Sequence, residues 1–377
     1  MSAKVELFVA YKDVIRYDLN LKRFEREIIA VREKELAAFL QQYKGRPLKL
    51  MEVCGTHTSA LYRTGLRQLL PETITLVSGP GCPVCVTPTS YIDKLVEYAF
   101  TPGCQVMTFG DMLAVPGSKM SLAEARDQGG AADFFYSPEE MLEKAKAQPE
   151  RKFVLAAVGF ETTAPVWATV IKTAADNNLK NIKFLTALKT MPQALSFLCT
   201  KGKIDGFLCP GHVAVITGSE PFKKLAEEFG ETMVIGGFSQ SQLLRAMARL
   251  VLESSKGQVG LWNEYPSVVK RSGNEAAQAI TNEIFEAGDA VWRGIGTLKD
   301  SGLYIRQKYK SFDAGSSGLN EDKIPVGCLC SRIVLGDALP TQCPHFGKRC
   351  TPEHPVGACM VSSEGTCCIT YREGSVE

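Results

Sequence analysis

Short apolar segments alternate with amphipathic segments over most of the chain. From residue 48 onward, runs rich in Val, Ile, Leu and Phe are each followed by a stretch with apolar residues at helical spacing. The runs with the length of strands are LKLMEV, ITLVSG, QVMTFG and DFFYS, and then KFVLAAVG, KFLTAL, DGFLCPG and TMVIGGF. Because strands that alternate with helices pair in parallel sheets, the pattern predicts an α/β fold with two similar, Rossmann-like parallel-sheet domains.

The pattern changes at both ends of this α/β region. Before it, apolar positions recur at helical spacing among many charges until Gly45-Arg46-Pro47, which predicts a helical arm. After about residue 255 the alternation gives way to a helical stretch at 274–287, a Gly-rich segment and a cysteine-dense tail. The predicted division is an N-terminal helical arm over 1–46, α/β domains over 47–150 and 151–255, and an irregular C-terminal domain over 256–377.

Composition and charge narrow the class of protein. The 377 residues are 45% hydrophobic and 22% charged, which is typical of globular chains with real cores. The 43 Lys and Arg residues against 41 Asp and Glu residues leave a formal charge of +2, which argues against nucleic acid as a partner. No apolar run has the length of a membrane span, and charges stand where a signal peptide would be apolar, so we expect a cytoplasmic protein without a membrane partner.

Cysteine usage points to metal or redox chemistry. The chain has 13 cysteines, an odd number, and seven of them lie between Cys328 and Cys368. In a cytosolic protein such clustering indicates a metal site, an iron-sulfur cluster or thiol redox chemistry rather than structural disulfides.

The first apolar run leads into a cysteine and a histidine one helical turn apart. Cys54-Gly55-Thr56-His57 follows LKLMEV and opens a predicted helix. A thiol there lies near the positive end of the helix dipole, which lowers the thiol pKa and favours the thiolate that binds metal or attacks electrophiles. Cys54 and His57 are therefore candidate functional residues, with a purely structural Cys54 as the alternative.

A C-x-x-C pair follows the second run. In Gly79-Pro80-Gly81-Cys82-Pro83-Val84-Cys85, the spacing allows Cys82 and Cys85 to close a disulfide, and Gly and Pro shape the turn. We interpret the pair as a redox couple. Two alternatives stay open: two free thiols without a chemical role, and a structural zinc site formed by Cys54, His57, Cys82 and Cys85.

The tail cysteines stand in loops. Iron-sulfur clusters need thiolates from loops that wrap them, whereas zinc ribbons bring paired C-x-x-C knuckles, which the tail lacks. A [4Fe-4S] cluster is therefore favoured. Cys330, Cys343, Cys350 and Cys367 are spread through Gly- and Pro-containing loops, alongside Cys328, Cys359 and Cys368, and the spacing does not decide which of these thiols hold the cluster.

Three more polar residues follow strand-like runs: Asp111, Glu161 and His212. Because ligands bind at the carboxyl ends of strands in open α/β sheets, they are candidate catalytic residues. The alternative for each is a turn or cap residue.

Several motifs together resemble the [NiFe]-hydrogenase maturation factor HypD family. They are CGTHT at 54–58, GPGCPVCV at 79–86, TFGDMLAVPGS at 108–118, GFETTAP at 159–165, PGHV at 210–213, WRGIG at 292–296 and CPHFGKRCTPEHPVGACMVSSEGTC at 343–367. The resemblance covers nearly the whole chain from about residue 50, and the combination of motifs is far more specific than any one of them.

The resemblance implies a scaffold on which Fe(II) receives its cyanide and carbon monoxide ligands before insertion into a hydrogenase large subunit. It implies two α/β domains that face a cleft, with a third domain that holds a [4Fe-4S] cluster. By motif, Cys54 matches the cysteine that holds iron, Cys82 and Cys85 match a redox pair, and Cys330, Cys343, Cys350 and Cys367 match the cluster cysteines. The implied partners are a small HypC-type chaperone, which shares the iron, and a HypE-type cyanide donor.

This hypothesis assigns chemistry to each group of residues. Cys54 anchors iron, with His57 or His212 as a further ligand or proton donor, and the dithiol and the tail cluster supply electrons. Two alternatives use the same residues: a stand-alone iron-sulfur thiol-disulfide oxidoreductase, and a zinc-stabilised binding module.

Overall fold

The computed structural model describes residues 24–374. Within them, the apolar runs form strands and the amphipathic stretches form helices. The strands are β1 (Leu48–Glu52), β2 (Ile74–Ser78), β3 (Cys104–Thr108), β4 (Ala132–Phe134), β5 (Lys152–Gly159), β6 (Ile182–Lys189), β7 (Gly206–Pro210), β8 (Thr232–Gly236), β9 (Gly260–Asn263), β10 (Phe285–Trp292) and β11 (Gly296–Ile305).

The helices of the described residues lie mostly between these strands. They are α1 (Phe24–Gln41), α2 (Gly55–Arg63), α3 (Thr89–Ala99), α4 (Leu122–Asp127), α5 (Glu140–Ala147), α6 (Ala164–Asp176), α7 (Met191–Cys199), α8 (Gly211–Thr217), α9 (Glu220–Phe229), α10 (Gln240–Ser255), α11 (Glu275–Ile284), α12 (Cys330–Val334) and α13 (Thr366–Glu373). Across residues 24–374, every helix is too short or too polar to span a membrane.

The strands form two sheets, which confirms the α/β class. Sheet one has five strands in the order β2-β1-β7-β8-β9, and all of its pairs are parallel. Sheet two has six strands in the order β10-β11-β6-β5-β3-β4, and its β6-β5-β3-β4 part is parallel. The predicted strand-like runs all occur as strands β1 to β8, because apolar strands in parallel sheets are buried on both faces and show as continuous apolar runs.

The chain passes between the sheets three times. It enters sheet two at β3, returns to sheet one at β7 and enters sheet two again at β10, so each sheet contains strands from both sides of residue 150. The sheets therefore do not coincide with the predicted domains 47–150 and 151–255. The pattern of apolar runs locates strands but does not determine which strands become neighbours.

The segment after residue 255 is more regular than predicted. Strand β9 extends sheet one, and the β10-β11 hairpin joins sheet two antiparallel to β6. Helix α11 confirms the helical stretch expected at 274–287, but its last predicted residues already belong to β10. The irregular part is confined to the segment after β11, whose cysteines pack into the same apolar core as residues of sheet two.

The predicted helical arm is present as α1. Its residues Leu36 and Leu40 are buried against Leu243, Leu244 and Met247 of α10, so the helix belongs to the core of sheet one. Residues 1–23 of the predicted arm lie outside the described part of the chain.

Candidate functional site

Both sheets place predicted site residues where the strand order changes direction. In sheet one this point lies between β1 and β7, and Cys54 and His212 follow these strands. In sheet two it lies between β3 and β5, which Asp111 and Glu161 follow. Open α/β sheets bind ligands at such points because the loops leave in opposite directions and open a crevice.

Cys54 is the N-cap residue of α2 and is buried. Burial raises the pKa of its thiol to about 12, and hydrogen bonds from the backbone amides of His57 and Thr56 offset this only in part. The expectation that the helix N-terminus lowers the pKa of Cys54 and favours the thiolate is therefore wrong. The helix amides support the anion, but the loss of hydration costs more.

Two carboxylates that the sequence analysis did not single out lie around Cys54. Glu52 accepts a hydrogen bond of 3.0 Å from the Cys54 backbone amide, and Glu364 of the tail accepts one of 3.2 Å from the Thr56 hydroxyl. Burial raises the pKa of both carboxyl groups, and their charges further raise the pKa of Cys54. Glu364 stands inside the quoted tail motif, but nothing in its spacing connects it to residue 56.

Asp111, which follows a strand of sheet two, interacts electrostatically with Glu364 of this group around Cys54. It lies in the short 3₁₀ helix Gly110–Ala114 after β3, and its charge adds to burial in raising the pKa of Glu364. Asp111, Glu364 and Cys54 thus come from sheet two, the tail and sheet one.

His57 and His212 both stack on the aromatic ring of Phe238. The Phe238 ring centroid lies 4.6 Å from that of His57 and 3.7 Å from that of His212. The His57 Nε2 atom lies 3.2 Å from the carbonyl oxygens of Gly236 and Gly237, so it carries the proton and donates. Burial lowers the pKa of His57 to about 4, and its buried Nδ1 atom has no partner in the described structure. His57 is therefore a neutral imidazole at pH 7.

Cys82 and Cys85 form a disulfide with a Cα–Cα distance of 5.3 Å. Both residues are 4% exposed. With these sulfurs bonded to each other and His57 turned toward Gly236 and Gly237, the alternative zinc site is not formed. Among residues 24–374, no three His, Cys, Asp or Glu side chains are grouped so that they could hold a metal ion.

The disulfide loop packs directly on Cys54. The amide of Gly55 donates a hydrogen bond of 3.2 Å to the Gly81 carbonyl. A Cβ atom on Gly81 would lie 2.4 Å from the Cys54 backbone nitrogen, so only glycine allows this approach.

The disulfide also meets the tail. A Cβ atom on Gly365 would lie 3.1 Å from Cys85 Sγ and 2.2 Å from the Cys359 carbonyl oxygen. Cys82 and Cys85 share one apolar core with the tail cysteines. The tail backbone at Gly365 is therefore packed directly against the disulfide.

The tail thiols form a chain of contacts that includes two residues outside the predicted ligand set. Cys328 Sγ donates to Cys330 Sγ at 3.0 Å, Cys330 contacts Cys359, and Cys359 contacts Cys367. Cys350, which lies beside Cys343, accepts a hydrogen bond from the Val356 amide. Cys368 interacts instead with Arg372 and Glu353.

The donor set of these six thiols fits an iron-sulfur cluster better than a single metal ion. The donors are sulfur only, they come from loops and short helices, and glycine backbone lies close to them: a Cβ atom on Gly357 would lie 2.5 Å from Cys330 Sγ. Cluster irons are held by cysteine thiolates from such segments.

Glu161 occupies a separate position at the carboxyl edge of sheet two. Its Oε1 atom accepts a 2.8 Å hydrogen bond from the Met191 amide, while its buried Oε2 atom has no partner in the described structure. Burial raises the pKa of Glu161 to about 7. No hydrogen bond within residues 24–374 joins Glu161 to Cys54 or to the disulfide, so the structure does not unite the predicted catalytic residues into one contact network.

Comparison with known proteins identifies relatives over almost the whole described chain. A family model described as "HypD: Hydrogenase formation hypA family" matches residues 29–374. The chain is 42% identical to a putative hydrogenase expression/formation protein of Methanocaldococcus jannaschii, over 86% of this chain and 92% of that protein. It is 40% identical to the hydrogenase maturation factor HypD of Azotobacter vinelandii (87% and 90%) and 37% identical to that of Escherichia coli K12 (90% and 92%).

Proposed function

Because the chain belongs to the HypD family of hydrogenase maturation factors, we propose that it is the scaffold on which Fe(II) receives cyanide and carbon monoxide ligands. Iron is the substrate of this site and not a resident cofactor. The observation that carries the proposal is the contact of the Cys54 loop with the disulfide loop at Gly81, and of the disulfide with the tail at Gly365. An iron anchor, a dithiol couple and a group of thiols lie next to one another.

Cys54 is the proposed anchor for iron. Burial is the main reason that its thiol keeps the proton, and the charges of Glu52 and Glu364 add to this effect. The same charges favour a divalent cation, so Fe(II) replaces the proton as it binds. The helix amides of Thr56 and His57 then support the thiolate. The neutral His57 and the exposed His212 are candidate ligands or proton carriers beside it.

The tail thiols are the proposed holders of a [4Fe-4S] cluster. Cys330, Cys343, Cys350 and Cys367 are its assigned ligands, and Cys328 and Cys359 lie in the same group of contacts. When bound, the cluster supplies single electrons. The disulfide of Cys82 and Cys85 accepts two electrons and two protons to become a dithiol, and the tail lies against it at Gly365.

The partners follow from the family. We infer that a small HypC-type chaperone shares the iron, that a HypE-type protein donates cyanide, and that the hydrogenase large subunit receives the finished group indirectly. These steps belong in the cytoplasm. The protein is thus an assembly scaffold with redox activity.

The two alternative functions fit the geometry less well. A thiol-disulfide oxidoreductase that acts on protein disulfides needs an accessible dithiol, but Cys82 and Cys85 are each 4% exposed. A zinc-stabilised module needs thiolates where the structure has a disulfide. Anaerobic iron, sulfide and zinc analysis of the purified protein separates all three functions.

Replacement of the anchor tests the proposal directly. Cys54→Ser is expected to remove the infrared bands of iron-bound cyanide and carbon monoxide from the complex with the small chaperone. The fold, the tail iron and sulfide, and the Cys82–Cys85 couple, followed by alkylation and mass spectrometry, should stay as in the wild type. Cys209→Ser is a matched control, since this buried thiol lies in β7 beside β1. Bands of wild-type intensity in Cys54→Ser would assign the anchor to another residue.

A further inference from the structure

A small cavity lies between the C-terminal ends of β6 and β10, strand β11 and helix α3. Its volume is about 20 Å³, which exceeds the roughly 10–15 Å³ that one water molecule or small ion needs. Lys189, the last residue of β6, lines it together with Leu303, Tyr304 and Leu319. Because the last three residues are partly exposed, the cavity lies next to the surface.

Lys189 is the only charged residue of the cavity lining, and it is 3% exposed. Its Nζ atom donates a 2.6 Å hydrogen bond to the carbonyl oxygen of Val291, which lines the same cavity. The Nζ atom also lies 5.5 Å from the ring centroid of Trp292. An ammonium group has three N–H donors, so two donors of Lys189 have no oxygen acceptor within residues 24–374.

No carboxylate of the described residues pairs with Lys189. Asp322 acts on it through its charge, but the Asp322 carboxylate accepts hydrogen bonds from the amides of Gly294 at 2.9 Å and Thr89 at 3.4 Å, and it lies 3.8 Å from Arg293. A buried ammonium group without a paired charge is costly, and burial lowers the pKa of Lys189 to about 7. An anion beside Lys189 would offset this cost.

The other polar side chains of the lining already have acceptors. The hydroxyl groups donate as follows: Tyr91 to the Leu185 carbonyl at 2.7 Å, Thr186 to the Leu303 carbonyl at 3.2 Å, Tyr304 to the Asp289 carbonyl at 2.7 Å and Ser316 to the Asp313 carboxylate at 2.5 Å. The unused donors of the cavity therefore belong to Lys189. A multiply charged anion such as phosphate is too large for this volume and costs too much to dehydrate, whereas a small monovalent anion fits both the space and the charge.

We propose that the cavity at Lys189 binds a small monovalent anion of halide size, which accepts hydrogen bonds from the ammonium group. Hydrogen bonds from a charged donor are roughly twice as strong as those between neutral groups, and the anion neutralises the buried charge. The lining contains none of the residues assigned to the iron anchor, the disulfide or the tail thiols, so this inference goes beyond the proposed function and does not rest on it. In the alternative, Lys189 only ties β6 to Val291 of β10 and binds no anion.

Bromide is the probe in the full-length protein. Urea midpoints in sodium bromide are compared with those in sodium gluconate at the same ionic strength, because gluconate is too large for the cavity. Bromide is expected to raise the wild-type midpoint, since a ligand that binds only the folded state stabilises it. Lys189→Met keeps the length of the side chain without its charge and should lose this response. Lys299→Met, which removes an exposed charge from β11, is the control and should respond as the wild type does.

The pH dependence separates the anion site from a general effect of salt. Only the protonated amine of Lys189 binds an anion, and with a pKa of about 7 its protonated fraction falls about tenfold from pH 6 to pH 8. The apparent dissociation constant for bromide should therefore rise about tenfold over this range. Burial raises the pKa of Tyr91 and Tyr304, and Arg293 beside Asp322 stays charged, so these two tyrosines and the arginine keep their charge states throughout.

A bromide soak of wild-type crystals completes the experiment. Anomalous scattering should place an ion within hydrogen-bond distance of Lys189 Nζ, and this result with the pH dependence carries the test if Lys189→Met does not fold. An equal bromide response in wild type and Lys189→Met, or equal binding at pH 6 and pH 8, would overturn the anion site. A bromide peak in crystals without any change of the urea midpoint would show binding at crystal concentration only and would overturn it as well. None of these outcomes bears on the iron scaffold, which the infrared bands test.

Discussion

At the scale of single residues, three glycines determine how closely the functional segments approach. Gly81 lies against the Cys54 backbone, Gly55 against Glu364, and Gly365 against Cys85 and Cys359. In each case a Cβ atom would meet backbone at 2.4 Å or less. These residues bring the Cys54 loop, the disulfide and the tail into contact because they have no side chain.

Gly81→Ala is therefore expected to destabilise the protein. The added methyl group meets the Cys54 backbone, which cannot move aside as a flexible side chain would, and overpacking of this kind costs about 1–3 kcal/mol. Urea unfolding should show the loss as a lower midpoint at an unchanged slope. Gly110→Ala is the control, because a Cβ atom on this exposed glycine meets nothing within 4 Å. Equal midpoints for the two variants would contradict the close approach.

Glu161 gives a prediction about pH. Its pKa is raised from 4.5 to about 7 by burial, so between these values the folded state binds more protons than the unfolded state. The free energy of unfolding should therefore fall as the pH rises through this window, by an amount on the order of a few kcal/mol, and level off above about pH 7.

Glu161→Gln should remove this part of the pH dependence. Urea midpoints of the wild type and the variant at pH 5 and pH 8 measure the difference. Glu150→Gln, at an exposed position, should follow the wild type. Parallel curves for wild type and Glu161→Gln would show that the carboxyl group is not buried in its neutral form.

At the scale of elements, the tail holds its thiols in short helices and loops that pack on sheet two. Helices α12 and α13 have five and eight residues, and the segment between them consists of turns and short 3₁₀ helices. Such a segment gains its order from the apolar core that it shares with sheet two.

Serine substitutions in the tail should separate cluster ligands from packing cysteines. Cys343→Ser and Cys350→Ser are expected to lose the iron, the sulfide and the brown colour while the circular dichroism of the sheets is retained. Cys368→Ser is the matched control, since this buried thiol lies beside Cys367 but interacts with Arg372 and Glu353 instead. Full iron and sulfide in both the Cys343 and Cys350 variants would remove these residues from the ligand set.

At the scale of the whole molecule, the two sheets and the tail depend on one another. The chain crosses between the sheets three times, and the last three strands complete both of them. Phe285, Trp292 and Ile305 of the β10-β11 hairpin are among the most buried residues of the described chain.

A chain that ends at residue 255 is therefore expected not to fold cooperatively. Burial of Phe285, Trp292 and Ile305 contributes about 1.5–3 kcal/mol each, which together approaches the total stability of a typical protein. Differential scanning calorimetry should show one cooperative transition for the full chain and none for the shortened chain. A cooperative transition in the shortened chain would instead support the predicted boundary at residue 255.

The sequence by itself determined the local features of this protein. Continuous apolar runs located strands β1 to β8, since buried parallel strands need no polar alternation. The C-x-x-C spacing indicated the disulfide of Cys82 and Cys85, because the geometry of a three-residue separation is local. The motif combination indicated the family that the comparisons show.

Only the tertiary structure decided which of these segments come into contact. Strand neighbours such as β1 and β7 lie far apart in sequence, so pairing depends on the packing of the whole chain. The approach of Glu364 to Thr56, and of Gly365 to Cys85, likewise joins the tail to sheet one and the disulfide. The pKa of Cys54 also depends on the tertiary structure. The sequence indicated the helix N-terminus, which lowers the thiol pKa, but it did not indicate the burial that raises the pKa by more. Hydration is lost only when distant segments close over the thiol.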